Sequence, residues 1–376
     1  MLFSIYSIED KLIVASGGGD KKFGVKNKIT LYQLESGSIS KALKEENFDQ
    51  IPEFIEGIPS KKIFGICSKN QVIFYSLSGN DFKNIYTLTI NPEDISLTCF
   101  KIYEDLLVAG DDSGCLILFK ISFDNQKINS INEIGRNDNA HVRGINKIVF
   151  FAKNKNKFLL TASQDGTCKV FGIDQSSEKP IKMNTYFCFR QFQHENSNYF
   201  MRDLIFVNEE NIVYTLQSLA KGKTFLTKWN ASNVNSVRPI ETIMVCNDPC
   251  FSFDINENHS YLGIADSKGN IYFVDAKNMV LTGSTNIGEN MLKDCRFYKN
   301  YLVTGNIGNE LGMNKIMTGF NFKMIRFLFY AALIFGIYYY IYLWKFQIVA
   351  TNFQLIVYIR YMATIIRVCT YYSDPL

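Results

Sequence analysis

Short alternating runs of apolar residues dominate the first 320 positions, and polar turns separate them at regular intervals. In each clear copy an apolar strand ends in small residues, a tight polar turn follows, and a second strand ends near an aromatic residue. The clearest copies span 106–121, 159–173 and 261–276, and the first of them reads LLVAGDDSGCLILFKI. Alternation of this kind predicts half-buried β-strands that are joined as hairpins.

The closing aromatic residues recur mostly at spacings in the forties, which is the length of a four-stranded propeller blade. They are Tyr32, Tyr75, Phe119, Phe171, Trp229 and Phe273. A further strand precedes most copies, and a partial seventh copy spans 292–306. The pattern therefore predicts an all-β protein whose residues 1–320 form a seven-bladed, WD-repeat-like β-propeller. An open β-sandwich of similar periodicity is the alternative, and regular repetition favours the propeller.

The composition changes sharply near residue 323, because the segment 327–344 contains no charged residue. A helix of this length matches the hydrocarbon thickness of a bilayer, and its tyrosines suit a membrane interface. We therefore expect a C-terminal transmembrane helix within 324–345, with a buried core helix as the alternative. The rest, 346–376, is a short lumenal tail, an interfacial helix or a weak second span.

Charge and cysteine usage narrow the class of protein. The net charge of +4 is spread over interspersed acids and bases, which argues against a nucleic-acid partner. Nine scattered cysteines, many of them in apolar strand-like runs, indicate buried reduced thiols. Cys246 and Cys250 alone make only a weak metal signal. Without a signal-peptide pattern at the N-terminus, residues 1–320 are expected in the cytosol.

No pattern of catalytic residues stands out in the sequence. The three histidines, His141, His194 and His259, have no serine or cysteine partner at a recognisable spacing. His141 precedes a predicted first strand, where WD-type repeats often carry a structural histidine, so we expect it to pack and hydrogen-bond. The chain is therefore predicted to be no enzyme and to take no small-molecule substrate.

One turn differs from the others, in the stretch ASGGGDKKFGVKNKITLYQL at 15–34. The glycines Gly17, Gly18 and Gly19 allow backbone carbonyls to turn toward a common centre. Together with the amide oxygen of Asn27, such carbonyls suit a weakly hydrated cation. A merely flexible loop is the alternative, and composition by itself favours that simpler explanation.

The glycine-rich turn, followed by the stretch GVKNK at 24–28 and a strand, resembles one known family. In the first blade of a propeller with a C-terminal anchor, it is similar to the Sec-twelve type, which includes prolactin regulatory element-binding protein. Members of that family are exchange factors of the endoplasmic reticulum membrane for the Sar-type small GTPase. The resemblance implies a potassium ion held by Gly17, Gly18, Gly19 and Asn27. It implies contacts with the GTPase at Asn27, Gly24, Val25, Lys26 and Lys28.

The resemblance also implies what the whole chain does. It predicts a guanine-nucleotide exchange factor that promotes GDP release and GTP loading, and so starts COPII coat assembly in transport from the endoplasmic reticulum to the Golgi. The chain would be a single-pass protein of that membrane, with the propeller in the cytosol. The alternative is a membrane-anchored propeller scaffold for trafficking complexes, without exchange activity.

Overall fold

The structure is a computed structural model that describes residues 1–18, 26–90, 96–124, 127–153, 156–173, 181, 183–189, 199–220, 222–317, 330, 332–336, 338 and 352–371. The chain divides into two compact units, Met1–Thr318 and Gly319–Leu376. The first unit consists of strands and one short 3-10 helix (Pro59–Lys61), and the second contains the described α-helical residues.

The first unit contains seven antiparallel sheets, which are the blades of a propeller. Blade 1 has β1 (Leu2–Ile8), β2 (Lys11–Ser16), β3 (Asn27–Glu35), the short β4 (Ser38–Ile39) and β5 (Lys44–Phe48). Blade 2 has β6 (Phe54–Ile58), β7 (Ile63–Ser68), β8 (Gln71–Ser78) and β9 (Asp81–Thr89). Blade 3 has β10 (Leu97–Tyr103), β11 (Leu106–Asp111), β12 (Leu116–Asp124) and β13 (Lys127–Asn137).

The remaining blades follow the same order along the chain. Blade 4 has β14 (Ile145–Lys153), β15 (Asn156–Ser163), β16 (Cys168–Ile173) and β17 (Met183–Phe189). Blade 5 has β18 (Tyr199–Val207), β19 (Ile212–Leu219), β20 (Thr224–Asn230) and β21 (Arg238–Cys246). Blade 6 has β22 (Cys250–Ile255), β23 (Tyr261–Asp266), β24 (Asn270–Asp275) and β25 (Val280–Asn286). Blade 7 has β26 (Leu292–Tyr298), β27 (Tyr301–Asn306) and β28 (Leu311–Lys315).

The first strands of neighbouring blades contact each other around the whole ring, and β26 of blade 7 contacts β1 of blade 1. Apolar residues fill the space between these two terminal blades, where Leu2 and Ile5 pack in one cluster with Tyr298 and Val303. A closed ring leaves only short sheet edges. The predicted seven-bladed propeller is therefore confirmed, and the open sandwich is excluded.

The polar turns that the sequence pattern marked are the hairpin turns between second and third strands. Gly114 and Gly166 in these turns have φ values of 94° and 80°, a region that favours glycine. A methyl group at Gly114 would lie 2.5 Å from the carbonyl oxygen of His141, so close packing also requires glycine there.

The second unit contains one long described helix, α1 (Asn352–Tyr371). Within the described residues, no helix is both long enough and apolar enough to cross a membrane. The predicted transmembrane helix at 324–345 therefore gains no support, and most of that segment lies outside the described residues. Helix α1 falls within 346–376, for which the sequence left three possibilities open.

Candidate interaction face and central channel

One face of the propeller carries the beginning of every first strand and every connection between second and third strands. In blade 1, for example, Leu2 at the start of β1 lies opposite Ser16 at the end of β2. The start of the first strand and the connection after the second strand are therefore on the same face. The connection from β2 to β3 spans 17–26, whereas the equivalent connections in the other six blades span two to four residues. Blade 1 thus carries an enlarged connection on the face that we call the entry face.

The base of this enlarged connection is tightly packed. Gly17 is buried, and its backbone exchanges hydrogen bonds with the backbone carbonyl and the amine of Met1. A methyl group at Gly17 would overlap the Asn27 amide oxygen and lie 2.7 Å from the Asn27 Cα. Asn27 is 5% exposed and lies opposite Phe48 of β5. The structure therefore brings Gly17 and Asn27 together, and the potassium site predicted for them stays a prediction.

The other predicted site residues are placed differently. Lys26 is exposed, and Gly18 is half-buried. Lys28 forms an ion pair with Glu45 of β5 at 2.6 Å. Gly19, Gly24 and Val25 lie outside the described residues.

The donors that the predicted potassium site would use are neutral oxygens. The Asn27 amide oxygen lies beside the Gly17 backbone, and this type of oxygen suits a weakly hydrated cation. The Gly17 carbonyl already accepts a hydrogen bond from the Met1 amine, so that oxygen is shared. Among the residues that the structure describes, no group of three or more His, Cys, Asp or Glu residues could hold a metal ion.

His141 has the structural role that its sequence position predicted. Its Nδ1 lies 3.0 Å from Asp165 Oδ2, and its Nε2 lies 2.7 Å from Thr161 Oγ1. Burial alone would raise the pKa of Asp165, but hydrogen bonds with His141 and Thr167 outweigh it and lower that pKa well below its ordinary range. This network connects the segment before β14 with the hairpin between β15 and β16 in blade 4.

A central channel opens on the entry face as a cavity of about 280 Å³. Six of the seven first strands carry a β-bulge near their beginning, where one extra residue interrupts the pairing with the second strand. The extra residues are Phe3, Thr98, Asn146, Arg202, Phe251 and Lys293, and all six line the cavity. Because a bulge redirects side chains, it explains why these residues face the channel.

Below the bulges, carboxylates join neighbouring blades. Asp294 of blade 7 accepts hydrogen bonds from Ser4 Oγ at 3.2 Å and from the Ile5 amide at 2.9 Å, both in blade 1. It also accepts from Ser252 Oγ of blade 6 at 2.8 Å. Asp294 therefore joins the two ends of the ring without a shared strand. Asp203 of blade 5 accepts a weaker bond from the Phe253 amide of blade 6, at 3.4 Å.

The cations of the channel fall into two groups. Lys147 lies 3.4 Å from Asp203 Oδ1, and Arg296 lies 3.5 Å from Asp294 Oδ1. Arg202 and Lys293 both lie near the ring of Phe251, with Arg202 Cζ at 5.2 Å and Lys293 Nζ at 5.7 Å from the ring centroid. We call Arg202 and Lys293 the rim pair.

Sequence reasoning missed this channel. The sequence signal for it is a polar or aromatic residue near the start of the first strand in six blades, at the second position in five of them and at the fourth in blade 5. Strict alternation would place these side chains on the wrong side of the strand, because the bulge shifts the pairing register by one residue.

Comparisons with known proteins agree with this architecture. No family model matches the chain. The curated protein "Restriction of telomere capping protein 1" is 27% identical over 120 residues in Candida dubliniensis and 30% identical over 119 residues in Candida tropicalis. Each match covers 32% of this chain and 10% of the relative, so the similarity spans about a tenth of the length of these curated proteins.

Solved structures resemble the chain over most of its length. The crystal structure of Saccharomyces cerevisiae Sqt1 has a TM-score of 0.58 and 14% identity, and the match covers 85% of this chain and 86% of that one. A chain of the mitotic checkpoint complex has a TM-score of 0.63 and 13% identity, with coverage of 84% and 87%. Both neighbours are WD40 propellers. By fold, therefore, this chain is a seven-bladed β-propeller.

Proposed function

We propose that the chain binds a protein partner through its entry face, and that this partner is a Sar-type small GTPase whose nucleotide release it accelerates. The observation that carries the proposal is the packing of Asn27 on Gly17, because it anchors the enlarged connection of blade 1 to a rigid sheet. The resemblance of the same stretch to the Sec-twelve type supplies the identity of the partner. The apolar segment 327–344 supports placement at a membrane, and the resemblance implies that this membrane is that of the endoplasmic reticulum.

The mechanism needs no bond chemistry from this chain. An exchange factor binds the nucleotide-free GTPase more tightly than the loaded form, and by linkage it weakens nucleotide binding by the same factor. A thousandfold faster release needs about 4 kcal/mol of selective stabilisation. A preorganised surface loses less entropy on binding, so an anchored connection on a closed ring suits this task. GTP then loads by mass action.

Potassium has a supporting part in the proposal. A cation held by the Asn27 amide oxygen and nearby glycine carbonyls would order the connection before the partner binds. Exposed Lys26 would then face the GTPase, whereas Lys28 would act through its ion pair with Glu45.

The test is release of a fluorescent guanine nucleotide from a Sar-type GTPase, with the full-length chain in detergent micelles. We expect acceleration by the wild type and an exchange rate about ten- to hundredfold lower for Asn27→Ala, because a buried amide that positions the connection is lost. Asn270→Ala is the matched control, since Asn270 is the first residue of the third strand in blade 6, as Asn27 is in blade 1. Equal exchange rates with and without the wild-type chain would overturn the proposal.

A second experiment separates the effect of the bound potassium ion on exchange from the effect of the fold itself. The same exchange assay in potassium and in sodium should give faster release in potassium, and Asn27→Ala should abolish that preference. The scaffold alternative predicts instead that the chain binds its partner while nucleotide release stays at the intrinsic rate in every buffer.

A further inference from the structure

The rim pair places two positive charges near one aromatic ring in the lining of a single cavity. Arg202 comes from blade 5, Lys293 comes from blade 7, and both lie within 6 Å of the ring centroid of Phe251 in blade 6. The Arg202 guanidinium also lies over the ring of Phe200, at 4.7 Å. Its Nε donates to Ser218 Oγ at 2.8 Å. These contacts hold the guanidinium in place through Nε and through its planar face.

The rim pair differs from the other two cations of the channel. Lys147 and Arg296 each have a carboxylate at 3.4 and 3.5 Å, respectively. Within the described part of the chain, no carboxylate lies at ion-pair distance from Arg202 or Lys293. Burial lowers the pKa of Arg202, so its charge is partly removed from water.

The lining of the whole cavity shows the same imbalance. Among the described lining residues, the four cations Lys147, Arg202, Lys293 and Arg296 face three carboxylates, Glu53, Asp203 and Asp294. Burial raises the pKa of Glu53, while the positive charge of Lys293 opposes that rise. Two of the three carboxylates are already paired below the bulges. An excess of positive charge therefore remains at the rim.

We propose that the rim pair binds a phosphate group at the mouth of the central channel. Guanidinium and ammonium groups together match the two negative charges of a phosphate, and the arginine fork can bond two of its oxygens. A cavity of about 280 Å³ has room for this group with part of the molecule that carries it. The site goes beyond the function proposed above, because it requires neither a GTPase nor a membrane.

The test is calorimetric titration of the full-length chain with inorganic phosphate, in a phosphate-free buffer of low ionic strength. We expect saturable binding by the wild type, and binding about ten- to hundredfold weaker for Arg202→Gln and for Lys293→Gln, because each removes a charge-assisted contact. Lys61→Gln is the control, because Lys61 also lies over an aromatic ring, that of Phe123 at 4.4 Å, but outside this cavity. Absence of binding by the wild type, or equal affinity in all three variants, would overturn the proposal.

A second pair of probes distinguishes a free phosphate from one carried by a partner protein. A short peptide with one phosphoserine is compared with its unphosphorylated form. Tighter binding of the phosphopeptide than of inorganic phosphate would assign the group to a partner, and the reverse would assign it to a small molecule. Arg202→Lys should retain part of the affinity, since it keeps the charge and loses the fork. Unfolding midpoints of all variants confirm that each protein is folded.

Discussion

Two charged groups line the same channel and differ in one physical respect. Asp294 is buried, receives hydrogen bonds from blades 1, 6 and 7, and has Arg296 beside it. The rim pair of Arg202 and Lys293 lies near aromatic rings, Arg202 donates to one hydroxyl, and no carboxylate of the described residues lies at ion-pair distance from either cation. Asp294 thus has hydrogen-bond and charge partners within the fold, whereas the rim pair has no ion-pair partner among the described residues.

This difference separates stability from binding. A buried carboxylate that is fully hydrogen-bonded stabilises the fold. Removal of the carboxylate or of its cation leaves the other charge buried without a partner. Cations without a carboxylate contribute little to stability and keep their binding capacity for a ligand. We therefore expect substitutions at the two places to change different measured quantities.

The largest effect should follow from Asp294→Ala. The change removes the acceptor that joins blade 7 to blade 1 and leaves Arg296 without its carboxylate, so we expect a loss of about 3–5 kcal/mol in the free energy of unfolding. Denaturant unfolding followed by circular dichroism measures it. Asp105→Ala, which removes an exposed ion pair with Lys120, should cost less than about 1 kcal/mol. Similar losses of unfolding free energy in the two variants would contradict the claim that the buried, hydrogen-bonded Asp294 stabilises the fold more than an exposed ion pair does.

An intermediate effect should appear at acid pH in blade 4. Hydrogen bonds with His141 and Thr167 overcome the effect of burial and lower the pKa of Asp165 below that of the unfolded chain. Its contribution is therefore present above the ordinary carboxyl pKa and is lost as the pH falls through that value and below it. Between pH 5 and pH 2 the wild type should lose about 2 kcal/mol more unfolding free energy than Asp165→Asn. Parallel pH profiles for the two proteins would contradict the stabilising role of this network.

The smallest effect on stability should come from the rim pair. In phosphate-free buffer, Arg202→Gln and Lys293→Gln should each change the unfolding free energy by no more than about 1 kcal/mol, because the lost contact with the Phe251 ring is offset by removal of a charge without an ion-pair partner. Phosphate at ten times its dissociation constant should then stabilise the wild type by about 1.4 kcal/mol and leave both variants nearly unchanged. Thermal unfolding with and without phosphate measures the shift. A large loss of stability in the phosphate-free variants would mean that these cations serve the fold.

Much of the fold could be predicted from local pattern. The repeats at 106–121, 159–173 and 261–276 correspond to second and third strands of blades 3, 4 and 6. The position of His141 before a first strand predicted its structural network. Gly17 and Asn27, which the sequence analysis named for a potassium site, lie in contact, and the ion itself stays a prediction. The function of that connection remains a prediction, because Gly19, Gly24 and Val25 lie outside the described residues.

The channel could not be predicted in the same way. Arg202 and Lys293 are far apart in sequence, and each lies in a strand whose alternation looks ordinary. Only the bulges reveal that they line a common cavity. The bond between Asp294 and Ser4 spans 290 positions, and no local pattern indicates such a partner.

The sequence by itself determined the strands, their turns and the number of blades, because apolar alternation and glycine turns act over a few residues. The tertiary structure decided which side chains meet at the centre of the ring. That outcome depends on closure between blade 7 and blade 1, and on a one-residue bulge repeated in six first strands. Charges from distant blades converge only after the ring has closed, so their pairing is a property of the assembled propeller.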